Sequence, residues 1–253
     1  IDHVGTMRES NNIKKGSSLI HVNNLMDFKE LESLIKNLKP TVVINCLSLK
    51  GQKSSIKILS DHLRIYSVFP RALDMLSIKY NYKYIHISSD GVFDGAEGNY
   101  TELSHTTAKD TYGISKILGE PSMLNSSCIR TSIYGHSLKR DFGVVDWVLG
   151  QSKCEGFSNY YFTGMSTLKL SEIVINSFIK EDNFGLFNVG GDVISKYELL
   201  RKVINIYGHE CQITKRKHPF ADLSLNQDKF ANITGNKSFN HDTMLKELYV
   251  QYS

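Results

Sequence analysis

An α/β fold is what this sequence of 253 residues predicts, with helices wound over both faces of a parallel sheet. Three observations carry that expectation. β-branched apolar runs alternate with helical spacing through the first half of the chain. One of them, Thr41-Val42-Val43-Ile44-Asn45-Cys46-Leu47, is apolar on both faces, as a strand inside a parallel sheet must be. Only four prolines interrupt the chain, and no repeat or low-complexity segment breaks the alternation.

The elements follow in order. Strands are expected over residues 2–7 and 18–22, then a helix over 27–38 with Phe28, Leu31, Leu34, Ile35 and Leu38 on one face. Pro40 ends that helix, and the strand at 41–47 follows. Helical spacing over 56–80 contains Pro70, which predicts a kink or a break. Residues 83–88 read as a strand, 89–110 as a polar loop, 111–124 as a helix and 127–131 as a strand. Strands separated by helices make this a Rossmann-like doubly wound sheet. Beyond Tyr134 the rhythm loosens, with helices expected at 144–151, 168–180, 195–207 and 243–249 and short strands at 160–163, 185–189 and 212–215. Residues 1–135 are therefore expected to form a Rossmann-like domain. Residues 136–253 are expected to be mainly a smaller C-terminal substrate-binding lobe, with some segments returning to the sheet.

Composition narrows the function. Thirty Lys+Arg against 26 Asp+Glu leave a charge of +4, too small and too dispersed for a nucleic-acid partner. The longest apolar stretch, residues 41–49, is far short of the roughly 20 residues of a membrane span. Ile1-Asp2-His3-Val4 carries neither the basic region nor the apolar segment of a signal peptide, so a cytoplasmic protein is expected. Cys46, Cys128, Cys154 and Cys211 show no CxxC or Cys/His spacing and are expected to be reduced thiols. No metal site is expected.

Tyr112-Gly113-Ile114-Ser115-Lys116 carries the chemistry. On a helix, the i, i+4 spacing puts the phenol and the ammonium on one face. A free tyrosine titrates near pH 10, roughly, and a neighbouring ammonium pulls that value down, so the pair can move a proton near neutrality. Ser89 follows a strand predicted to lie inside the sheet. The C-terminal ends of such strands are where open α/β sheets bind ligands, so its hydroxyl is placed to meet a substrate oxygen near the tyrosine.

Several motifs recur in a fixed order. They are Val43-Ile44-Asn45-Cys46, Ser88-Ser89-Asp90-Gly91-Val92-Phe93-Asp94-Gly95, Asn99-Tyr100-Thr101-Glu102 and Tyr112 to Glu120. Ile129-Arg130-Thr131-Ser132-Ile133-Tyr134-Gly135 and Gly185-Leu186-Phe187-Asn188-Val189-Gly190-Gly191 complete the set, the latter running into Ile194 to Leu200. Together they resemble the extended short-chain dehydrogenase/reductases, in the branch of dTDP-4-dehydrorhamnose reductase and its polysaccharide-biosynthesis relatives. The resemblance implies NAD(P)H-dependent reduction of a nucleotide-activated 4-keto sugar. Ser89 would polarise the carbonyl, Tyr112 protonate its oxygen, and Lys116 hold the nicotinamide ribose and lower the tyrosine pKa. It also implies cofactor contacts from Cys46 and Leu47 after one strand and Thr131 and Ser132 after another. A nucleotide sugar is the implied partner, and an assembly of identical chains is compatible with it.

The resemblance places the first strand, its Gly-rich turn and the first helix ahead of Ile1. Arg8 and Ser10 then sit where an adenosine ribose is read, and an arginine there favours NADP(H), with NAD(H) the alternative. Asn24 stands where an Asp often meets the adenine. Ser89-Asp90-Gly91 lacks the second carboxylate of the sugar-nucleotide dehydratases, which favours reduction over water loss. Tyr66 stands where relatives often have Asn. That departure and Asn24 keep a non-catalytic regulatory or binding subunit open as an alternative, alongside a sugar-nucleotide epimerase.

Overall fold

In a computed structural model, the described residues are 5–7, 19–21, 26–49, 56–137, 143–235 and 239–252. β1 (Gly5–Met7) and β2 (Leu19–His21) pair in parallel. Asp27 caps α1 (Phe28–Leu38), its carboxylate accepting from the Lys29 and Glu30 N–H groups. β3 (Val42–Asn45) follows. The long helical stretch is α2 (Ile56–His62), a π-helical segment Leu63–Val68, and α3 (Phe69–Tyr80). The expected break at Pro70 takes this form. Proline has no N–H for the Tyr66 carbonyl, and the preceding turn widens so that the Phe69 N–H reaches Arg64 O.

β4 (Lys83–Ile87) leads into a 3₁₀ turn, Asp90–Val92, and α4 (Thr111–Gly119) precedes β5 (Ser126–Arg130). α4 stops five residues short of its expected end. Pro121 drives Glu120 into an extended conformation (φ −61°, ψ 129°), which ends the helix.

The second half contains β6 (Ile133–Tyr134), α5 (Val144–Leu149), β7 (Lys153–Phe157), β8 (Tyr160–Phe162) and β9 (Met165–Ser166). α6 (Thr167–Ile173) continues as a π-helical segment, Val174–Ile179, and is capped by Ser166. Then come β10 (Gly185–Asn188), β11 (Ile194–Ser195), α7 (Lys196–Tyr207), β12 (Gln212–Arg216), β13 (Ala221–Asp222), α8 (Asp228–Thr234) and α9 (His241–Tyr252). β7 and α8 were not foreseen. Gly156 in β7 and the polar surface of α8 carry little periodicity, and tertiary pairing with β12 and β10 organises them.

The main sheet has the order β10-β5-β4-β3, parallel throughout. Alternation along β4 separates two cores. Tyr84 points into a cluster with Leu31, Ile35, Phe69 and Leu73, whereas Ile85 joins Ile129, Phe178 and Phe187 on the other side. Helices thus cover both faces, and the C-terminal ends of β3, β4 and β5 share one edge. Among the described residues no helix is long and apolar enough to cross a membrane.

α4 lies on the π-helical segment at Gly119, where a Cβ would stand 1.8 Å from the Tyr66 carbonyl oxygen. Gly119→Ala should therefore cost about 1–3 kcal/mol of stability. The check is a lowered urea midpoint at an unchanged m value.

Candidate active site

Ser89 is extended (φ −148°, ψ 152°) and caps the turn after β4. Its Oγ accepts from the Gly91 N–H at 3.0 Å and lies 3.2 Å from Asp90 Oδ1, to which it donates. Asp90 is buried, and burial raises its carboxyl against the opposing pull of Lys196, Ser89 and Ser132. α4 is brought onto this loop by glycine. A Cβ on Gly113 would sit 2.2 Å from Gly91 O and 2.4 Å from Ala108 Cβ, so no other residue fits without a shift. Asp110 starts the helix by accepting from the Gly113 N–H at 2.9 Å. The result is the Tyr112 phenol beside Ser89.

Burial, the largest cause, pushes Tyr112 up to about 12, and a hydrogen bond with Ser89 opposes it. Burial likewise brings Lys116 down to about 8, against the influence of Cys128, Cys46 and Glu120. Against the sequence expectation that Lys116 lowers the tyrosine pKa, the Tyr112 phenol is raised, because burial outweighs the interactions that favour its ionised form. The ammonium donates to Ile87 O at 3.0 Å and lies 4.9 Å over the Tyr66 ring.

Tyr66 is the residue whose work sequence reasoning missed. Buried at the π-helical turn, it meets Tyr112 edge to face at 5.3 Å and His62 at 5.3 Å. Its hydroxyl accepts from the Leu49 N–H at 2.7 Å and lies 3.2 Å from Ser48 Oγ. It therefore connects the turn after β3 to α4. Its position was visible in the sequence only as a departure from a resemblance.

The remaining expected residues divide. Cys46 and Leu47 lie at the C-terminal end of β3, where the Leu47 N–H donates to Asn45 Oδ1 at 3.1 Å. Thr131 is buried at the end of β5, and Ser132 faces the same cleft as Ser89 and Tyr112. Arg8, Ser10 and Asn24 lie outside the described residues. The cleft holds about 940 Å³, and Asp90, Lys196 and Phe220 also line it. No pattern in the sequence announced Asp90 or Lys196 as neighbours. All four cysteines are free, and no group of three or more metal-ligating side chains occurs among the described residues.

Over residues 6–155 the sequence matches the family described as RmlD substrate binding domain. The chain belongs to that family. It is thereby one of the extended short-chain dehydrogenase/reductases of the dTDP-4-dehydrorhamnose reductase type. The spore coat polysaccharide biosynthesis protein SpsK of Bacillus subtilis is 26% identical over 220 residues, 83% of this chain and 74% of that one. The dTDP-4-dehydrorhamnose reductase of Aggregatibacter actinomycetemcomitans is 32% identical over 115 residues, 40% of this chain and 38% of that protein. The solved dTDP-4-dehydrorhamnose reductase of Bacillus anthracis, in complex with NADP, superposes with a TM-score of 0.81 at 15% identity. That match covers 94% of this chain and 91% of the other. The Rossmann-like fold read from the strand–helix alternation is thus the fold of the RmlD-type proteins.

A burial-depressed lysine has a direct signature. Lys116 should lose its proton near pH 8 rather than near 10.5, as read by NMR of isotope-labelled lysine with Lys116→Arg for assignment. Tyr66→Leu removes the ring that favours the ammonium and should move that midpoint lower still.

Proposed function

We propose that this chain is an NAD(P)H-dependent reductase of a nucleotide-activated 4-keto sugar, acting in the cytoplasm in cell-surface polysaccharide biosynthesis. The observation that carries the proposal is the placement of the Ser89 and Tyr112 hydroxyls side by side at the end of β4, with the Lys116 ammonium behind them. SpsK and the dTDP-4-dehydrorhamnose reductases support the substrate class, and the NADP of the Bacillus anthracis enzyme supports NADP(H) over NAD(H).

The residues fit a nicotinamide nucleotide. Lys116 gives one of its three protons to Ile87 O, which leaves donors for ribose hydroxyls. When bound, the cofactor supplies the hydride, and the protein supplies orientation and the proton. Ser89 turns its single O–H from Asp90 Oδ1 to the keto oxygen and polarises the carbonyl. Tyr112, held protonated well past neutral pH by burial, gives its proton to that oxygen as negative charge develops there. The ketone becomes a secondary alcohol with one hydride on carbon and one proton on oxygen. Cys46, Leu47, Thr131 and Ser132, with Arg8, Ser10 and Asn24, complete the cofactor contacts in this reading. Residues 1–135 hold the dinucleotide, and residues 136–253 mainly the sugar nucleotide.

Purified protein should oxidise NADPH with a dTDP- or UDP-linked 4-keto sugar, and Tyr112→Phe should lower kcat about 10²–10⁴-fold while still binding NADPH. Consumption of a nucleotide sugar without net NADPH oxidation would indicate an epimerase. Cofactor binding with no turnover of any keto sugar would indicate a binding subunit. Tyr66→Phe keeps the ring and drops the anchor of the Leu49 N–H, so it should raise KM for NADPH several-fold with kcat nearly unchanged.

A further inference from the structure

Lys196 stands on the wall of the catalytic cleft contributed by α7, where the proposed reaction assigns it no part. Its ammonium lies 3.6 Å from the Phe162 ring centroid and 5.3 Å from that of Tyr160. Two aromatic faces therefore hold a long, flexible side chain in one place. The acidic group that acts on it is Asp90, through space rather than by an ion pair within 4 Å among the described residues. Asp90 itself is engaged by Ser89, Ser132 and the Gly91 N–H.

Asp94, Asp110, Lys109, His218 and His62 also line the cleft, the last with a buried Nδ1 that has no hydrogen-bond partner among the described residues. Lys109 is exposed and pairs with Asp94 at 3.1 Å. His218 packs on Phe157 at 4.6 Å with its Nδ1 on Pro219 O. Burial penalises the Lys196 charge, so an anion arriving in the cleft relieves that penalty. A nucleotide-activated sugar with its keto group at Ser89 and Tyr112 must carry its diphosphate further along the same cleft.

We propose that Lys196, seated on Phe162 and Tyr160, is the anchor for the diphosphate of the sugar nucleotide. The assignment rests on the cleft taking a nucleotide sugar, as proposed above. It makes the second half of the chain the source of the charge that binds substrate, while the first half supplies the chemistry.

Calorimetry with dTDP, UDP, thymidine and NADPH tests it on the wild type, Lys196→Gln, Lys196→Met and Lys196→Arg. Lys196→Gln and Lys196→Met should weaken dTDP and UDP by about tenfold or more, leaving thymidine and NADPH binding as in the wild type. Lys196→Arg should stay within about threefold. Salt should weaken nucleoside diphosphate binding to the wild type more steeply than to Lys196→Gln.

The assignment is overturned if the wild type binds neither diphosphate, or if both neutral variants bind them as the wild type does. It is also overturned if thymidine weakens in parallel, since Lys196 would then act only by packing on the aromatic pair. NADPH binding in each variant reports an intact fold; if neither neutral variant retains it, the wild-type salt dependence decides, and a flat one overturns the assignment. A wild type that binds dTDP or UDP through Lys196 yet reduces no keto sugar would refute the reductase reading and leave the anchor standing.

Discussion

Backbone-to-backbone contact along α4 is the constraint on which the site depends. Gly113 lets the helix rest on Gly91 O, and Gly119 lets it rest on the Tyr66 carbonyl. A side chain at either place would lift the helix away from the loop or from the π-helical segment. Between the two contacts the helix has little freedom to slide or rotate, so Tyr112 meets Ser89 while Lys116 reaches Ile87 O. Catalytic groups must be held within fractions of an ångström, and contacts without intervening side chains are a stiff way to do so. A buried ion pair closes the far end of α4. Arg130 makes two 2.8 Å bonds to Glu120, and the Ser88 hydroxyl donates to the same carboxylate.

Burial moves the two titrating groups in opposite directions, each toward its uncharged form. Tyr112 becomes a weaker acid, which keeps a proton on the phenol for donation. Lys116 becomes a weaker base, and the Tyr66 face and the Ile87 carbonyl help it keep its charge. Tyr66 thus does two jobs with one side chain. Its ring supports the ammonium, and its hydroxyl holds the turn after β3. The widened helical turn that presents it is a consequence of Pro70, four residues later.

The second half of the chain completes both the sheet and the cleft. β10 pairs with β5, so Phe187 enters the same core as Ile85 and Ile129. β8 and the start of α7 bring Tyr160, Phe162 and Lys196 to the side of the cleft that holds Asp90, from 70 to 106 residues away in sequence. The Ser89–Tyr112 side and the Lys196 side of the cleft therefore come from segments that meet only when the chain is folded.

Alternation of β-branched runs with helical spacing was enough to read the sheet, because each buried strand must be apolar on both faces. Tyr84 and Ile85, buried on opposite faces of β4, show this directly, whereas Ile44 on β3, the edge of the main sheet among the described residues, is exposed despite the apolar run it belongs to. The Tyr-x-x-x-Lys spacing and the strand-end Ser89 pointed to the candidate site for a similar reason: local geometry decides which face of a helix and which end of a strand they occupy. Element ends such as that of α4, and β7 and α8 as whole elements, escaped, since Pro121 and distant strand partners set them. The electrostatics escaped as well. Sequence spacing put Lys116 one turn from Tyr112, but burial decided the direction in which each group titrates. By itself, then, the sequence determined the fold class and which side chains make up the candidate site, both of which follow from local periodicity and chemistry. Only the tertiary structure decided the pKa directions, the role of Tyr66 and the meeting of Lys196 with Asp90, because desolvation and through-space contact depend on chain segments that share no sequence neighbourhood.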